Sequence, residues 1–61
     1  MPIVQVHLIE GRAVDQKRKL VAEITDAVVR SLGSKPEDVK IILQDMKKHD
    51  YAIAGVLFMD R

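Results

Sequence analysis

Cysteine is absent from this chain, and so is tryptophan. Without thiols no disulfide can brace the fold and no thiolate can hold a metal; such a composition suits a reducing cytoplasm, the compartment expected here. Histidine is scarce. His7 and His49 stand far apart, and neither has metal-ligand spacing around it. One tyrosine and one phenylalanine offer no platform for stacking nucleic-acid bases. A formal net charge of +1 lacks the basic excess of a domain that grips a phosphate backbone. No apolar run reaches membrane-spanning length, and the first residues lack the basic-then-apolar layout of a secretory signal. These absences predict a soluble cytoplasmic domain over residues 1–61, without metal, nucleic acid or membrane as partner.

Apolar side chains are plentiful, at 48% of 61 residues. A chain of this length buries only about 60% of the surface it exposes when unfolded. Small domains then lean on disulfides, metal or association. With the first two lacking support in the composition, self-association is the physical expectation.

Ile3 to Ile9 alternates like a strand, with Val4, Val6 and Leu8 on one face and Ile3, Gln5, His7 and Ile9 on the other. Glu10-Gly11-Arg12 breaks the pattern as a turn. From Val14 to about Leu32 the period becomes helical, and Leu20, Val21, Ile24, Ala27, Val28 and Leu32 form a stripe that Val14 extends. Ala22 and Val29 fall off it, as candidates for a subunit contact. Asp26 and Arg30 are spaced for an ion pair along the helix. Ala13 is a poor N-cap, Gln16 suits the far end of a capping box, and Gly33 is a natural stop. Pro36-Glu37-Asp38 suggests one helical turn, and Val39 to Asp45 alternates as a second strand. Tyr51 to Met59, apolar with small residues, is expected to form a short hairpin or strand. The fold class is therefore α/β: one βαβ unit with parallel strands, a right-handed crossover and a C-terminal hairpin. One helix covers one sheet face, so copies are expected to pack together.

Met1-Pro2 has two readings. With Met1 retained, Pro2 opens a strand where a missing N–H is harmless. With Met1 removed, which a small second residue favours, Pro2 becomes a secondary amine held in a rigid ring at the strand's start.

The Met-Pro start, a strand ending Leu8-Ile9-Glu10-Gly11-Arg12, Gln16-Lys17 in the first helical turn and Tyr51-Ala52-Ile53-Ala54-Gly55 together resemble the 4-oxalocrotonate tautomerase family over nearly the whole chain. The resemblance implies a hexamer of βαβ subunits, with active sites at subunit contacts around a free proline amine and no cofactor. It implies Pro2 as the catalytic group and Arg12 as a binder of substrate carboxylate. It puts Tyr51 at an aromatic wall near the proline, and Lys40 where the best-known members carry a second arginine. Lysine keeps that charge but loses the planar fork. Ala13 also departs from the family's serine or threonine cap.

The chemistry implied moves a proton between an enol and carbons alpha or gamma to a carbonyl. It calls for one group that takes and returns the proton, and for charge to hold the substrate and the dienolate. Pro2 would be the general acid/base and Arg12 and Lys40 the holders of oxygens. Tyr51, with Leu8 and Ile53 as lesser candidates, would wall the pocket. A small carboxylate such as 2-hydroxymuconate is the expected substrate, in the catabolism of aromatic compounds. Each residue also has a plainer reading: Arg12 as a solvated turn residue, Lys40 as a strand-face charge with its stem over apolar surface, and Tyr51 as core or interface. Two other functions are open. A hydratase or dehalogenase on the same fold needs a carboxylate to activate water, and none follows Tyr51 before Asp60. A ribbon-helix-helix DNA-binding dimer needs a helix where Val39 to Asp45 reads as a strand.

Overall fold

The computed structural model describes residues 1–61, in the order β1 (Ile3–Ile9), α1 (Val14–Leu32), a 3-10 turn at Pro36–Asp38, β2 (Lys40–Met46), a second 3-10 turn at Lys48–Asp50, β3 (Ala52–Ile53), β4 (Val56–Leu57) and a last turn at Phe58–Asp60. β1 and β2 pair in parallel, in a register that sets Ile3 beside Lys40 and Ile9 beside Met46. The β-α-β unit expected from the periodicities is thus present. β2 occupies the segment where a ribbon-helix-helix protein has a helix, which removes that reading.

Alternation decides which side of the sheet the helix covers. Val4, Val6 and Leu8 of β1 and Ile41 and Leu43 of β2 are half-buried, while Ile3, Gln5, His7, Lys40, Ile42 and Gln44 on the opposite face stay exposed. The covered arc of α1 comprises Lys17, Leu20, Val21, Ile24, Thr25, Val28 and Val29. Three residues of the expected stripe lie outside it: Val14, Ala27 and Leu32 are exposed. Nineteen helical residues span about 28 Å, whereas seven-residue strands span about 23 Å. The helix therefore overruns the sheet at both ends and leaves Val14 and Leu32 uncovered, while Ala27 lies just past the arc's edge. Val29, expected to be free for a subunit contact, lies within the arc.

Local signals explain the helix ends. Ala13 supplies no side-chain cap, and Gln16 compensates by accepting the Ala13 N–H at its Oε1, 2.9 Å away. Gly33 closes the helix in the left-handed region at φ 71°, its N–H donating to the Val29 carbonyl. Arg18 donates to Asp15 at 2.6 Å, but Asp26 and Arg30 make no ion pair. An exposed pair of that kind is worth only about 0.3–0.5 kcal/mol, so its absence costs the helix little.

No residue of the single chain is fully buried, and its surface is 4739 Å². A compact monomer of this size would expose about 4,000 Å². The radius of gyration is 14.4 Å, with extents of 42 × 24 × 13 Å, against about 10.5 Å for a compact chain of equal length. β3 and β4 form an antiparallel hairpin on which Tyr51, Ile53, Val56 and Leu57 are all exposed. Its turn places Ala54 at φ 53° and Gly55 at φ 81°, the paired positive values that suit the twist of a two-residue hairpin.

Candidate active site

Pro2 is half-buried at the head of β1, and its carbonyl accepts the backbone N–H of Lys40 at 3.0 Å. The parallel register thus sets the start of β2 directly against Pro2. Met1, at 76% exposure, stands outside the fold. The Pro2 nitrogen, lacking a hydrogen in the peptide bond, takes no part in the ladder. Hydrogen bonding holds Pro2 only through its carbonyl.

Lys40 leaves the sheet on the face that α1 does not cover. Its Nζ donates to the Glu37 carbonyl at 3.1 Å, which closes the preceding 3-10 turn and leaves two ammonium hydrogens free. The backbone contact joins Lys40 to Pro2; the side chain is tethered locally.

Arg12 belongs to the other end of β1. After the strand, Gly11 turns the chain at φ 121°, a conformation that disfavours any other residue. Arg12 then folds back, donating from its guanidinium to the Ile9 carbonyl at 3.1 Å. Ile9 lies seven positions beyond Pro2, about 23 Å of strand, so one chain does not bring Arg12 to Pro2. Tyr51 and Ile53 follow β2 off that same far end. The Tyr51 ring sits 6.1 Å from that of Phe58, tilted by 45°, and the Tyr51 carbonyl accepts the Phe58 N–H at 2.7 Å. Leu8 is half-buried on the helix-covered face, where its contribution is to packing between sheet and helix. Of the six expected residues, then, one chain joins Pro2 with Lys40 and holds the others apart.

A groove of about 410 Å³ opens beside Arg12, lined by Arg12, Gln16, Lys19, Leu20 and Glu23. The sequence reading passed over Lys19 and took Gln16 only as a capping residue and a family signature. The available signal was their spacing: 12, 16, 19 and 23 recur at helical intervals from the turn, along one side of α1. No group of three or more His, Cys, Asp or Glu is placed to hold a metal ion. No helix is long and apolar enough to cross a membrane.

The arrangement has relatives. A "probable tautomerase" of Listeria innocua is 46% identical over 56 residues, 92% of each chain. Another, of Halalkalibacterium halodurans, is 41% identical over the full length of both. Among solved structures, a 4-oxalocrotonate tautomerase isozyme from Methylibium petroleiphilum superposes with a TM-score of 0.93 at 43% identity, covering 95% of this chain and 91% of that one. YwhB, a homologue of 4-oxalocrotonate tautomerase, superposes at 0.94 with 38% identity, covering 98% of each. The family described as tautomerase enzyme matches residues 2–61. With the β-α-β fold, the proline-headed strand and these relatives in agreement, the chain belongs to the tautomerase family.

Proposed function

We propose that this chain, once Met1 is removed, is a cofactor-independent keto–enol tautomerase in which the Pro2 amine is the general acid/base. Family membership supports the isomerase class; the observation that carries the finer reading is how Pro2 is held. Its carbonyl is fixed to Lys40, and nothing in the fold depends on its nitrogen. Trimming Met1 therefore frees a secondary amine on an already anchored ring.

In the proposed reaction the neutral amine takes the proton of a 2-hydroxyl group on a small dienoate such as 2-hydroxymuconate. The oxygen's electron pair forms the 2-oxo carbonyl, and the diene electrons shift toward the carbon alpha or gamma to it. The prolinium returns the proton to that carbon, restoring the amine. Arg12 and Lys40 hold carboxylate or carbonyl oxygens through the dienolate stage. Cationic neighbours and a dry wall of Tyr51 and Ile53 favour the neutral amine, the form that acts as base.

For Pro2 and Arg12 to act on one substrate, as proposed, their separation along β1 calls for a site that draws on more than one copy. Self-association, with a hexamer as the proposed form, is consistent with the absence of any buried residue in the single chain. A cytoplasmic setting and a place in aromatic catabolism belong to the same proposal. For a hydratase or dehalogenase, Asp60 is the only carboxylate after Tyr51, and it lies exposed in the last turn, so nothing favours that reading.

The decisive experiment pairs intact-mass measurement with an enol-ketonisation assay on one sample. The Met1-free protein should ketonise 2-hydroxymuconate, and protein retaining Met1 should not. Full activity with Met1 in place would sink the proposal.

A further inference from the structure

The groove beside Arg12 is built mostly of donors. Gln16 spends its Oε1 on the Ala13 N–H at 2.9 Å; the atom facing that donor must be the oxygen, so its NH₂ remains for other partners. Arg12 spends one guanidinium N–H on the Ile9 carbonyl and has four others. Lys19 is one turn from Glu23, the usual spacing for an ion pair, yet the two make none although both line the groove. The ion pairs of this helix belong to Lys17 and Arg18 instead. Two cations, one amide donor and one carboxylate thus surround a floor formed by Leu20. The groove, about 410 Å³, is open to solvent, and four of its five lining residues are exposed.

From this we infer that Lys19 and Gln16 extend the anion-holding end of the site beyond Arg12, and that Lys19 selects substrates with a second carboxylate. This rests on the proposed role of Arg12 in holding substrate. A dicarboxylate engages Arg12 with one oxygen pair and meets the Gln16 NH₂ and the Lys19 ammonium along the groove. A monocarboxylate presented by its other end leaves Lys19 unused. Glu23 opposes the second charge and limits the preference.

The test uses the assembled, Met1-free protein with two substrates: 2-hydroxymuconate, and 2-hydroxy-2,4-pentadienoate, which has one carboxylate. In Lys19→Met the ratio of kcat/KM for the dicarboxylate over the monocarboxylate should fall about three- to tenfold, carried by KM. Lys19→Arg should restore it, and Glu23→Gln should raise it. A second arm reads binding alone: cis,cis-muconate, which lacks the hydroxyl, should shift the Gln16 side-chain amide NMR signals saturably, and more weakly in Lys19→Met. An unchanged ratio, or Gln16 signals that move no more than with chloride at equal ionic strength, overturns the assignment. If neither substrate turns over while Gln16 still responds to muconate, the proton-transfer reading fails and the groove assignment stands.

Discussion

The Lys17 ammonium lies 2.7 Å from a carboxylate oxygen of Asp45, joining the first turns of α1 to the far end of β2 across 28 residues of sequence. It explains why a lysine sits in the middle of the helix arc that faces the sheet. Asp45 takes a position on the covered side of β2 where the alternation would put an apolar residue, and Lys17 is the charge that answers it. The two side chains keep 26% and 45% of their exposure, so the pair is screened by solvent. Asp45→Ala should destabilise the protein by about 0.5–1 kcal/mol, and added salt should shrink the difference. Urea unfolding of both singles and the double variant, at one protein concentration, would isolate the coupling.

The hairpin turn carries a correctable strain. Ala54 occupies the left-handed region at φ 53°, which costs a residue with a β-carbon roughly 1 kcal/mol. Ala54→Gly should recover most of that penalty, and Ala54→Asn a part, since asparagine tolerates this region. Gly55→Ala should move stability the other way. Thermal melts at matched concentration would show Tm rising for the first pair and falling for the last.

On the sheet face that α1 leaves open, Ile3 is 54% exposed and Ile42 49%. If copies meet there, a buried charge at either position is costly. Ile42→Asp should therefore yield smaller species in sedimentation and lose ketonisation activity together. Assembly that survives this change would place the contact elsewhere.

In its proposed role of holding substrate oxygens, Lys40 offers a point charge where an arginine fork would grip two. Lys40→Met should lower kcat/KM about 10- to 100-fold, while Lys40→Arg should keep at least native activity on a carboxylate substrate. In the same assays, activity should fall as pH drops through the titration of the Pro2 amine, because protonation removes the base. A Pro2→Ala variant keeps a primary amine and should retain a small residual rate.

The main elements were legible because each period persists: β1 alternates through Ile9, α1 repeats over nineteen residues, and β2 alternates again. Pairing between distant charges was not. No acid stands three or four residues from Lys17 along the helix, and only the tertiary arrangement supplies Asp45. Asp26 and Arg30 had the right spacing, but nothing else holds them together. In the site, the β-α-β order implied parallel strands, but the register that sets Lys40 beside Pro2 within one chain was not legible, because parallel pairing alone leaves the offset open. That Lys19 and Gln16 line a groove with Arg12 was not legible, because polar residues on a helix flank look like ordinary solvated surface until a cavity is seen beside them.

Pro2 is hydrogen-bonded through its carbonyl alone, and this separates maturation from folding. The peptide bond to Met1 can be cut in the folded chain without any hydrogen bond of the sheet being rearranged. Under the proposed mechanism, fully folded but unprocessed chains would be a dormant reserve that removal of Met1 makes competent.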